Sequence, residues 1–181
     1  MYQALILHPK DPLWAPDTPT LLADSMHECG LIEREPGPNF RYEFGDEFTR
    51  LVTFLGCSPT LHEANSGNSL FHILLPIAFG KPQLIAGDAA NPRCGHCKKA
   101  ISGWSQHYEN NKITCPHCSS VSDANSLHWR RQGSITRTAI IIEGVMEGIA
   151  VPADTLLSRL QSVSHRNWDY FYYTNSKSWP E

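Results

Sequence analysis

Apolar residues come in short clusters, separated by stretches rich in proline, glycine and polar side chains. Tyr2–Leu7 is an apolar run that predicts a strand, followed by a proline-rich loop from His8 to Pro16. Thr18 and Pro19 then suit the cap and first position of a helix. Leu22, Met26 and Cys29 fall on one face of it, with Leu21 beside them and Gly30 as the stop. Phe40–Phe44 and Phe48–Leu55 read as two strands around Gly45-Asp46-Glu47. Leu70–Leu75 predicts another strand, ended by Pro76, and Gln83–Ala86 a short one. Ile135–Glu143 alternates and then turns continuously apolar at Ala139–Ile142, as a buried strand does. Pro152 opens a second helix with Asp154 in its first turn and Leu156, Leu157, Leu160 and Val163 on its apolar face. Trp168–Tyr173 predicts a last, aromatic strand. Trp168, Tyr170 and Tyr172 fall on one side of it and Phe171 and Tyr173 on the other.

The two halves echo each other. ALILHPKDPLWAPDTPTLL begins at Ala4 and AIIIEGVMEGIAVPADTLL at Ala139, each reading strand, loop, proline, capping residues and paired leucines. Two β-α-β units on either side of an insertion suggest an α+β body of the ferredoxin-like, split βαβ type.

Composition fits a folded chain. Of 181 residues, 41% are apolar and 18% charged, enough for a real core rather than a disordered polymer. No apolar stretch reaches the length a bilayer requires, and MYQALILHPK has no basic segment before its short apolar run. A cytoplasmic protein without a membrane partner is the expectation, and paired cysteines there are more often metal ligands than disulfides. The net charge of −3 conceals an uneven distribution. Residues 93–137 carry seven basic and two acidic side chains, while the remainder carries eight basic and sixteen acidic. A basic island therefore sits on an acidic body.

Within that island stand Cys94/Cys97 and Cys115/Cys118, two Cys-x-x-Cys pairs seventeen residues apart. Each such turn places two sulfurs on one side of a metal, and a hairpin brings the second pair alongside. Ala100–Trp104 and Lys112–Cys115 are the expected hairpin strands, with Glu109-Asn110-Asn111 as the turn. Over about thirty residues the stretch resembles the zinc ribbon family, all four ligand positions matching. The resemblance implies one structural zinc held by Cys94, Cys97, Cys115 and Cys118, with folding energy drawn from the metal and Trp104 and Tyr108 packed over the site. Four thiolates leave no open position, so such a site is not catalytic. A redox reading competes. Cys94-Gly95-His96-Cys97 is similar to the active-site motif of protein disulfide isomerase, and Cys115-Pro116-His117-Cys118 to that of bacterial periplasmic disulfide oxidases. Both need a buried strand before the dithiol and a helix after it, yet Asn91-Pro92-Arg93 precedes Cys94.

The expected organisation is a discontinuous α/β body, 1–88 and 121–181, carrying a ribbon at 89–120. The expected function is non-enzymatic. The ribbon docks to nucleic acid or a nucleoprotein complex through Lys98, Lys99, Lys112, Trp129, Arg130, Arg131 and Arg137. A protein–protein adaptor is the alternative. An enzyme is the third reading, using Cys57 at the end of a strand with His62 close by.

Overall fold

The computed structural model describes residues 1–18, 20–37, 41–56 and 73–176, and for 74–78 the backbone alone. The fold is a mixed α/β arrangement, mostly strands with few helices. Its frame is a five-stranded antiparallel sheet in the order β10-β1-β8-β4-β2. These strands are β1 (Tyr2–Pro9), β2 (Arg41–Tyr42), β4 (Ile73–Ala86), β8 (Gly133–Glu143) and β10 (Trp168–Asn175). The two helices flanking the core are α1 (Thr20–Glu28) and α3 (Asp154–Ser164). After β1 and α1 the chain first adds β2 at the far edge of the sheet and only later returns to β4, which lies between β2 and β8; the connection from β8 through α3 reaches β10 with β1 between them.

The central strands are apolar on both sides because both faces of the sheet are covered. Leu5 and Leu7 stand opposite Ile142 and Ile140, and all four bury against Leu22 and Met26 of α1 and Leu156 and Leu160 of α3. Ala4, Ile6, Ala139 and Ile141 face the other way and pack with Ile85, Phe171 and Tyr173. Each fully buried Leu or Ile contributes about 1.5–3 kcal/mol relative to an exposed one. Trp168 and Tyr172 belong to the first cluster and Phe171 and Tyr173 to the second, so neither side of the aromatic strand is an open stacking surface. The helices are tied together by Arg159, whose Nε donates to Ser25 Oγ at 3.0 Å and whose Nη2 pairs with Glu28.

Gly30, at φ +76°, ends α1 as its sequence predicts. The N–H groups of Gly30 and Leu31 return to the carbonyls of His27 and Met26, which satisfies the last turn. The second helix begins two residues after Pro152, which instead closes a short strand, β9 (Ala150–Pro152).

Three further expectations fail. Phe48–Leu55 is not one strand: Phe48–Leu51 is a helical turn, α2, followed by β3 (Val52–Phe54), which pairs with β9. Phe48 and Leu51, three apart, bury together only in a helical turn. Pro76 does not end its strand. β4 runs through both Pro76 and Pro82, and its register against β8 slips between Leu74 and Ile77 and again between Ala78 and Gln83. Both prolines fall inside those irregularities, where the ladder requires no N–H. Finally, Ala100–Trp104 is not a hairpin strand; only Ala100 makes a bridge, to Arg93. The strand antiparallel to β6 (Lys112–Thr114) is β5 (Tyr108–Glu109), and β7 (Val121–Asp123) adds a third. Pro19, Phe40, residues 57–72 with the start of the strand expected at Leu70, and the tail beyond Ser176 lie outside the described residues.

Candidate metal centre

The two Cys-x-x-Cys segments fold into the same turn twice. In the first, Cys94 N–H donates to Lys99 O at 2.9 Å and Lys98 N–H to Cys94 O at 3.1 Å. In the second, Cys115 N–H donates to Ser120 O and Ser119 N–H to Cys115 O, both at 2.9 Å. Lys98 and Ser119 occupy equivalent left-handed positions, φ +62° and +57°. In each turn an N–H inside the loop, His96 or His117, points at the first sulfur at 3.4 Å. Such N–H groups favour the thiolate form.

The turns face each other, so each sulfur meets one from the other pair. Cys94 Sγ lies 3.8 Å from Cys118 Sγ, and Cys97 Sγ lies 3.7 Å from Cys115 Sγ. All four sulfurs lie within 4.8 Å of one another. A disulfide needs roughly 2.05 Å. A tetrahedron with metal–sulfur bonds of roughly 2.3 Å has sulfur–sulfur edges of about 3.8 Å. The four cysteines are thus positioned to hold a metal ion, and the two cross-pair edges match that tetrahedral spacing. Neither turn leads into a helix, so the setting that activates a disulfide-exchange dithiol is missing from both.

Ser120 is a member of the site that the cysteine spacing alone does not reveal. Its hydroxyl lies 3.3 Å from Cys94 Sγ and 3.1 Å from Cys118 Sγ. With the Cys97 and His96 N–H groups behind it, that hydroxyl holds the Cys94 thiol down to about 5, and it lowers Cys118 as well. The Lys99 N–H also favours the Cys97 thiolate, but burial and the neighbouring sulfurs of Cys118, Cys115 and Cys94 outweigh it and push Cys97 up to about 11. Four sulfurs this close cannot all ionise without a cation among them. A divalent ion resolves that conflict.

A small apolar cluster supports the site. Ile101, Trp104, Ile113, Leu127 and Trp129 are buried together, and Tyr108, Leu84 and Ile135 pack against them. Trp104 meets both Tyr108 (5.8 Å) and Trp129 (5.2 Å) edge to face. Each indole N–H is satisfied, Trp104 by Gly87 O at 3.1 Å and Trp129 by Ala124 O at 2.7 Å. The packing therefore draws on residues past Ser120, among them Ala124, Leu127 and Trp129.

The residues expected to bind a partner are scattered around this core. Lys98 and Lys99 are exposed on the first knuckle. Lys112 is exposed too, but its cross-strand partners are Glu109 and Asp123. Trp129 is a core residue. Arg137 is half-buried and donates to Phe79 O at 3.0 Å. Arg130 and Arg131 form an exposed turn at φ +55° and +60°, with Arg131 stacked 4.1 Å over Tyr170. Cys57, His62 and His72 lie outside the described residues.

No known protein family, curated protein or solved structure matches the chain. Among the described residues no helix is long and apolar enough to cross a membrane.

Proposed function

We propose that the cysteine cluster holds one structural zinc ion and that the ribbon built on it docks to nucleic acid or a nucleoprotein complex. Four thiolates with cross-pair edges of tetrahedral length suit zinc's preference for soft ligands. Such thiolates persist in a reducing compartment, which is why we place the protein in the cytoplasm. We read the body as ferredoxin-like; the strand order β10-β1-β8-β4 and the connection from β8 through α3 to β10 support that reading.

One observation carries the docking role. Among the described residues, none of the basic side chains of residues 93–137 has a carboxylate within salt-bridge reach, whereas Lys10, Arg41, Arg50, Arg159 and Arg166 of the body are each paired and only Arg34 and Lys81 there are not. Unpaired, exposed cations are available to phosphates, and neutralising phosphates releases counterions. The test is a titration of the zinc-loaded chain with single-stranded RNA and duplex DNA between 50 and 200 mM salt. Binding should weaken linearly in log–log form as salt rises. Absence of any salt-sensitive binding would sink the reading. A nuclease-resistant complex with a single acidic protein would replace it with the adaptor role.

A further inference from the structure

A cavity of about 420 Å³ opens where the ribbon's exit rejoins the body, between the end of β1, the start of β8 and the start of β10. Its cations come from segments far apart in sequence. Lys10 follows β1, and Arg130 and Arg131 form the turn before β8. His8 and His128 add two imidazoles, and Asp169 supplies a carboxylate. That carboxylate is already engaged: Tyr170 N–H donates to its Oδ1 at 2.9 Å, and Lys10 Nζ lies 3.7 Å from its Oδ2. The lining is therefore cationic on balance.

Two further observations point to a ligand. His8 is only 8% exposed. Its Nδ1 faces Pro9 O at 3.0 Å and Ser134 Oγ at 3.4 Å. Its Nε2 has no partner, and among the described residues no fully buried side-chain nitrogen or oxygen lacks one. Nε2 therefore keeps some solvent access, and His8 lines the cavity. The second observation is the turn. Two successive arginines at positive φ occupy the central positions of a turn closed by Gln132 N–H to Trp129 O at 2.9 Å. Glycine or asparagine is what such a turn favours. Tyr172 N–H, on the outer edge of β10, pins it by donating to Arg131 O at 2.8 Å. Backbone strain held at the mouth of a cavity marks a functional site when the residues bearing it have a use there. Guanidinium groups have one, because their paired donors match phosphate oxygens.

We infer that this cavity is a binding site for a phosphomonoester dianion, held by Arg130, Arg131 and Lys10 with His8 Nε2 hydrogen-bonding a neighbouring hydroxyl. Its volume lies within the range of small-molecule sites. The dianion has two possible sources, a free mononucleotide or the terminal phosphate of a nucleic-acid strand. The site does not depend on the docking role of the knuckle lysines.

The test is calorimetric titration of the zinc-loaded full chain. The probes are inorganic phosphate, adenosine 5′-monophosphate, sodium acetate, and one decanucleotide with either a 5′-phosphate or a 5′-hydroxyl. Phosphate and the mononucleotide should bind and acetate should not. A decanucleotide preference of about tenfold for the 5′-phosphate identifies a strand end as the source; equal binding of the two ends, with mononucleotide bound, identifies the free ester. The double variant Arg130→Gly/Arg131→Gly suits the turn better than the native pair, so it should fold at least as well while binding falls roughly tenfold or more. Lys10→Gln, at an exposed position, should weaken binding in the same direction and serves if the glycine variant does not fold. No binding by phosphate, mononucleotide or phosphorylated strand overturns the inference. So does binding that the variants leave unchanged, or acetate competing as well as phosphate.

Discussion

His8 shows what a single side chain contributes in this fold. Burial pushes its imidazole below the ordinary value; the Pro9 carbonyl and Asp169 oppose that shift, and Lys10 adds to it. The folded chain therefore resists a proton that the unfolded chain accepts near pH 6.5. Stability owed to neutral His8 is present above that pH and is lost as pH falls through the lower, folded value. Urea midpoints measured at pH 7.5 and 5.5 should fall further for the native chain than for His8→Gln; parallel falls would mean that the ring is not held neutral. Gly87 makes a different point. A β-carbon there would lie 2.0 Å from Thr174 O, so the chain entering the ribbon lies directly against β10. Gly87→Ala should destabilise by about 1–3 kcal/mol in chemical denaturation; an unchanged midpoint would show that this approach is loose. Neither residue was legible beforehand. His8 read as the first residue of a loop, because its burial is created by Phe171 and Ser134, more than 120 positions away. Arg130 and Arg131 read as docking cations, but their left-handed turn was not visible, since positive φ at a non-glycine residue has no signature in composition.

At the scale of elements, legibility followed the strength of the local pattern. β1, β8, β10, α1 and α3 are long or strongly periodic, and each lies close to where the sequence placed it. The ladder between β3 and β9 was not visible, because each strand is three residues long and their partners lie about a hundred positions apart. The cysteine spacing was the clearest signal of all, since a metal fixes geometry through few residues. The packing around it was not, because Ile101, Ile113 and Leu127 stand singly among polar neighbours. Folding should divide along the same line. The sheet has apolar clusters on both faces and can stand without metal, whereas the ribbon's small core is tied to four sulfurs. Structural zinc supplies roughly 10–16 kcal/mol of apparent folding energy in isolated finger peptides. The purified chain should carry one zinc by native mass spectrometry. A chelator should abolish hydrogen-exchange protection at Ile113 and Cys115 while Ile140–Ile142 keep theirs. Loss of protection in the sheet as well would show that the two parts unfold together. Cys97→Ser should reproduce the chelated pattern without chelator.

For the whole molecule, the decisive property is where charge is left uncompensated. Counting along the sequence already separated a basic island from an acidic body, but it treated every lysine in the island alike. The structure distinguishes them. Lys112 stands opposite Glu109 and Asp123 in the small sheet, so although it forms no ion pair with either, two carboxylates on neighbouring strands weaken its local field. Lys98 and Lys99 project from the first knuckle with no carboxylate in reach among the described residues. The acidic body repels a polyanion at long range, yet at 0.1 M salt that repulsion is screened beyond about 10 Å. Contact-range cations then decide binding. Each phosphate contact to a single strand contributes about 0.7 to the slope of log affinity against log salt. Replacing both Lys98 and Lys99 with Gln should therefore lower that slope by about 1.4 and weaken binding evenly across sequences. Lys112→Gln should change it far less. The comparison uses fluorescence anisotropy with a labelled single-stranded RNA at four salt concentrations. Equal effects from Lys112 and from either knuckle lysine would mean that net charge, rather than the placement of unpaired cations on the cysteine turn, governs any contact with nucleic acid.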